Sequence, residues 1–184
     1  MPVSKSKKVR EPKVNERAIL AAKDVLKRLR LKKLYLVRDG YLCKPSVWGE
    51  NGKHSLWESL PSNGDLQDHV DAVEECCSVC ADGALLLSVA RLFDNVPMKD
   101  IKCSFIWAGS EGASTLRNLL TPVIDEKTLN LLEVAFEGKE MDWSNLTKEE
   151  IKAALKFGKR FRSLEGIVRG GMKNIIANGG HFKP

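Results

Sequence analysis

No apolar run in this chain approaches the roughly 20 residues needed to span a bilayer; the densest, Ala84 to Ala90, is far too short. No apolar segment follows the basic N-terminus, so we expect no secretory signal. Histidine is scarce, at three, and no serine sits in a Gly-x-Ser-x-Gly elbow, which leaves little from which to build a nucleophilic triad. Cys77 and Cys80 form one Cys-x-x-Cys, but a second such pair and any His-x-x-x-His are missing. A tetrahedral zinc site usually draws two ligands from each of two segments, so this chain lacks half of one. Ala108-Gly-Ser-Glu-Gly112 has neither the lysine nor the preceding parallel strand of a phosphate-binding loop and reads as a plain helix start. The acids around Asp125 and Glu126 lack the glycine and the spacing of a calcium loop. Five cysteines, an odd number with three crowded between Cys76 and Cys80, do not make a disulfide framework; a reducing cytoplasm is the expected compartment.

What the chain does have is sorted charge. Met1 to Lys33 holds 12 Lys/Arg against 3 Asp/Glu, Leu34 to Thr147 holds 9 against 18, and Lys148 to Pro184 holds 9 against 3. Basic ends around an acidic middle imply an electrostatic partner, or ends that fold back on their own centre. With 184 residues, 43% of them hydrophobic, the chain is long enough for one buried core.

The pattern predicts a mainly α protein: a single globular helical domain over 14–184 with a small β-hairpin near its N-terminal third, preceded by a disordered basic arm over 1–13. Asn15 caps a helix to about Lys33, with Ile19, Ala22, Leu26 and Leu29 inward and Lys23, Lys27, Arg28, Arg30, Lys32 and Lys33 outward. Leu34–Val37 and Tyr41–Cys43 flank Asp39-Gly40 as a hairpin. The Lys44–Gly64 loop is expected to pin itself through Trp48 and Trp57. Asp65 to about Asp94 reads as one long helix, in which Gly83 either breaks the helix or admits a close neighbour. Cys103–Trp107 is a short strand or an apolar loop. Ser110 caps a helix to Leu120, and Asp125 caps another to Phe136, closed by Gly138. Thr147-Lys-Glu-Glu150 is a capping box opening a helix whose Lys152, Lys156, Lys159, Arg160 and Arg162 look out, and which Gly158 weakens. Gly170-Gly171 punctuates, and Met172–Ala177 forms a last short helix stopped by Asn178-Gly179-Gly180.

Each cluster of reactive residues has a plain structural reading. Cys76, Cys77 and Cys80 lie on an apolar helical stripe and read as packing rather than as a metal or redox site. The carboxylate pairs, among them Asp68 with Asp71 and Glu133 with Glu137, read as a solvated face. Phe157 and Phe161 interleave with cations, yet their helical spacing places them in the core. No catalytic, cofactor or metal residue is assigned. The residues expected to meet a partner are Lys5, Lys7, Lys8 and Arg10 of the arm, Lys27, Arg28 and Arg30 of the first helix, and Lys156, Lys159 and Arg160.

Three stretches, Cys77-Ser-Val-Cys-Ala-Asp-Gly-Ala-Leu85, Leu129-Asn-Leu-Leu-Glu-Val-Ala-Phe-Glu137 and Met172-Lys-Asn-Ile-Ile-Ala-Asn-Gly-Gly-His-Phe-Lys-Pro184, resemble short bacterial and phage proteins of no assigned activity. The resemblance runs from about Ala18 onward and implies a single helical domain of phage or prophage origin. It carries no catalytic residue, and the arm lies outside it. The expected function is that of a non-enzymatic interaction protein, a phage-encoded effector or inhibitor binding a host macromolecule. The alternative is a nucleic-acid-binding accessory protein using the arm and first helix. In both, the partner is a host protein or nucleic acid and no membrane is involved.

Overall fold

The computed structural model describes residues 14–38, 77–93, 117–140 and 144–184. The basic arm, Tyr41–Cys43, the loop with Trp48 and Trp57, Asp65–Cys76, Cys103–Trp107 and the start of the Ser110 helix lie outside the described residues.

The protein is mainly helical. α1 (Val14–Arg30) leads into β1 (Leu34–Leu36); β2 (Cys77–Val79) runs directly into α2 (Ala81–Leu92). Then come α3 (Glu126–Glu137), α4 (Lys148–Gly158) and α5 (Leu164–Ala177). The strands pair in parallel, Leu34 opposite Cys77 and Leu36 opposite Val79. The strand expected at Leu34 therefore exists, but its described partner is not a hairpin return. Parallel pairing needs a long crossover, and some forty residues separate the two strands.

α2 forms the centre. Every residue from Ala81 to Val89 is buried, so the helix is apolar on all sides rather than amphipathic. Leu85, Leu86 and Leu87 are fully enclosed, and each such side chain contributes about 1.5–3 kcal/mol. α1 packs on α2 and α5, and α3 packs on α2, α4 and α5. The buried face of α1 is Ala18, Ala21, Ala22, Val25 and Leu29, and alanines there let neighbouring backbones approach closely. That face is rotated from the expected one. Ile19 and Leu26 are only half-buried, and Arg28, expected to point outward, is 2% exposed.

The long helix expected from Asp65 to Asp94 is corrected. Cys77–Val79 is extended, and Cys80 begins α2 as its N-cap, its Sγ accepting from the Gly83 amide at 3.4 Å. Gly83 thus sits in the first turn and breaks nothing. Gly170-Gly171 does not punctuate either: α5 runs through both, because a Cβ at Gly170 would strike the Phe161 ring and one at Gly171 would strike Leu132. Gly158 has the same role at the end of α4, where a Cβ would collide with the carbonyl oxygen of Ala135 on α3. These glycines mark close approaches between elements.

The ends of α3 and the start of α4 are as the sequence indicates, whereas α1 already begins at Val14, so Asn15 lies inside it rather than capping it. Asp125 caps α3 through Thr128, and Gly138 closes it at φ 71°. Thr147 and Glu150 form the reciprocal capping box of α4. No helix among the described residues is long and apolar enough to cross a membrane.

Candidate functional site

Charged residues gather in three places, and depth distinguishes them. The first is a buried seam. From Leu129 to its end, α3 is apolar except for Asn130, Glu133 and Glu137, which share one stripe at spacings of three and four, and all three are buried. Arg117, one turn before Leu120, reaches into this stripe. Its Nη1 donates to Glu133 Oε2 at 2.7 Å, and its Nη2 donates to Asn130 Oδ1. Asn130 in turn donates to Asn145 Oδ1 at 2.7 Å, tying α3 to the segment before α4. Asp82 approaches from α2, its Oδ2 3.7 Å from Arg117 Nη2; neither of its oxygens has a hydrogen-bond partner among the described residues. Burial, with the negative charge of Glu133, pushes the Asp82 carboxyl up to about 8 against the pull of Arg117, and Glu137 adds to the rise. Burial and then Asp82 push the neighbouring Cys80 thiol well above its ordinary range, which makes it an inert thiol. Glu133 and Glu137 are therefore not the solvated face expected of them. The clue available in the sequence was their position in the one polar stripe of the otherwise apolar stretch Leu129–Glu137.

The second place is a latch. Gly179, at φ 67°, and Gly180, at φ 100°, turn the chain back after α5. The Phe182 amide donates to Thr128 Oγ1 at 3.0 Å, and its ring meets Phe157 edge-on at 5.0 Å. His181 Nδ1 lies 2.9 Å from Asp125 Oδ2, and Nε2 lies 3.4 Å from the Asn15 amide nitrogen. Partial burial raises Asp125, but hydrogen bonds from the Thr128 side chain and backbone and from His181 outweigh it and hold its carboxyl below the ordinary range. An ionised Asp125 requires the proton on His181 Nδ1. The Thr128 hydroxyl bonds to Asp125 rather than to His181, so this hydroxyl is not paired with a histidine base. A cleft of about 410 Å³ opens beside the latch, rimmed by Lys127 and Glu150, which pair at 2.5 Å. The Lys127 bond holds Glu150 below the usual carboxylate range.

The third place is an outer face. Lys152, Lys156, Lys159, Arg160, Arg162 and Lys173 are all exposed along α4, its following turn and α5. Arg160 stacks over Phe157 at 5.5 Å, and Arg169 pairs with Glu165 at 2.6 Å. Phe157 is core as expected, but Phe161 is half-buried and lines two open clefts. One, of about 360 Å³, includes Arg38 and Arg162. The other, of about 540 Å³, is also lined by Gly166, Arg169, Gly170 and Lys173. Arg38 also caps α3, its Nε donating to the Phe136 carbonyl at 3.2 Å.

Of the residues singled out in the sequence, Lys156, Lys159 and Arg160 lie together on this outer face, and Lys27 and Arg30 are exposed on α1. Arg28 is buried, because it falls one turn along from Val25 and Ala21 on the packed stripe of α1. Lys5, Lys7, Lys8 and Arg10 lie outside the described residues. Among the described residues, no three His, Cys, Asp or Glu side chains are placed to hold a metal ion.

The chain matches no protein-family model, no curated protein and no solved structure.

Proposed function

We propose that this chain is a non-enzymatic interaction protein that holds an anionic macromolecular partner on the cationic face of α4 and α5. The observation that carries this reading is the run from Lys152 to Lys173, where seven cations face a single carboxylate, Glu165, and six of the seven are exposed. With Asp82, Glu133 and Glu137 buried instead of beside these cations, such a face attracts a polyanion and speeds its encounter. The resemblance to phage proteins favours an effector or inhibitor acting on a host macromolecule in the cytoplasm. Lys27 and Arg30 on α1 extend the same chemistry on a separate helix.

The test is capture of two polyanions of different chemistry, heparin and polyglutamate, by the full chain at low salt. The triple variant Lys156→Glu, Lys159→Glu, Arg160→Glu is expected to lose at least tenfold in affinity for whichever binds, with little change in melting temperature. Equal binding by variant and wild type would refute the reading. A second reading, nucleic-acid binding, is favoured by one feature that charge alone does not require: an aromatic ring, Phe161, set between two clefts in the middle of the cations.

A further inference from the structure

The clefts beside Phe161 separate one class of polyanion from another. The larger is lined by Phe157, Phe161, Arg169, Lys173, Asn174 and Ala177, with Gly166 and Gly170 beside the Phe161 ring. The tip of the Phe161 ring abuts Gly170, where a Cβ would overlap it, and a Cβ at Gly166 would come within 3.2 Å of Phe161 Cβ, so the ring is held in place beside the cleft. The consequence is a shallow slot with an aromatic and aliphatic lining and cations at its rim. Its volume, about 540 Å³, lies in the range of sites that take small flat ligands. An acidic peptide would satisfy the cations and leave this slot empty. A duplex would present phosphates at the rim but keep its bases stacked inside, out of reach. Only an unpaired strand brings a negatively charged backbone and a flat apolar ring together at each unit.

We infer that the Phe161 slot accepts an unpaired nucleobase, with Lys173 toward a flanking phosphate, so that the partner is single-stranded nucleic acid. This rests on the cationic face being a binding surface, and it names the chemistry of what binds.

The experiment compares a fluorescent oligothymidylate with an abasic deoxyribose-phosphate strand of equal length, against the full chain at matched low salt. Charge is the same in the two, so the difference reads the base. Base-aromatic stacking of about 1–3 kcal/mol per base corresponds to roughly 5- to 150-fold, and the abasic strand is expected to bind at least fivefold more weakly. Ala177→Leu fills the cleft edge from an exposed position without adding an aromatic face. It should weaken oligothymidylate binding several-fold and leave the abasic strand unaffected. Equal affinity for the two strands, or a clear preference for polyglutamate, would overturn the nucleobase slot while the cationic-face reading stands. No binding of either strand, of heparin or of polyglutamate would overturn both. An Ala177→Leu variant that binds both strands as wild type does would overturn the placement in this cleft.

Discussion

Arg117 and Arg160 carry the same charge and have opposite surroundings. Arg117 is 8% exposed and bonds to Glu133 and Asn130 beneath the surface, with Asp82 nearby. Arg160 is exposed, with its guanidinium over the ring of Phe157. Inside, low polarisability makes each charge depend on its partners, and losing one leaves another uncompensated. Outside, water screens each charge, so a single cation adds little to stability but remains free to meet a partner. The sequence sorts its charge along the chain, and the fold sorts it again by depth. Asp82, Glu133 and Glu137 of the acidic middle lie inside, while the described cations of the C-terminal basic end stay at the surface.

The largest break in this contrast should come at Arg117. Replacing it with Met removes the cation that bonds the buried Glu133, and a loss of about 3–5 kcal/mol is expected in urea unfolding. A loss below 1 kcal/mol would show that the seam is held by other means. Next is the pH dependence of the same seam. Asp82 is raised in the folded state from 3.8 to about 8, so between these values the folded protein binds a proton that the unfolded chain releases. Its contribution to stability is full below pH 4 and declines up to pH 8, by at most about 1.4 kcal/mol per pH unit. Asp82→Asn should flatten that decline, and an unchanged profile would contradict the burial of an uncharged acid. Asp125 acts in the opposite direction: its lowered carboxyl contributes stability at neutral pH that is lost on acidification.

Smaller effects follow at the contacts around the seam. Gly158→Ala drives a methyl into the Ala135 carbonyl and should cost about 1–3 kcal/mol, read as a fall in melting temperature. Cys80→Ala removes a small buried group and a weak cap and should cost about 1 kcal/mol. Cys80→Asp should cost more than Cys80→Ala, although Asp is the better N-cap, because it adds a carboxylate beside Asp82, Glu133 and Glu137. The reverse order would mean that this corner is wetter than its burial shows.

What could be read from the sequence was local. Asp125, Gly138, Thr147 and Glu150 mark their helix ends because capping is satisfied within four residues, with no help from the rest of the fold. The cations of α4 were legible because nothing apolar competes for their positions. Arg28, Glu133 and Glu137 were not, since only the packing of α1 and α3 on the apolar α2 decides that those stripes face inward. Cys77–Val79 read as helix because its apolar spacing continues that of α2; its extended form depends on pairing with Leu34–Leu36, far away in sequence. Gly170 and Gly171 look like a break until Phe161 and Leu132 are seen lying against them.

The division between inner and outer charge is tested most directly by the salt dependence of binding in a variant that keeps its stability. Lys156→Ala with Lys159→Ala removes two exposed cations of the outer face. Against a short oligothymidylate, each lost phosphate contact should reduce the slope of log affinity against log salt by about 0.7, while the melting temperature stays within about 2 °C of wild type. An unchanged slope, or a melting temperature that falls as steeply as that of Arg117→Met, would contradict the assignment of the outer cations to binding and the inner ones to stability.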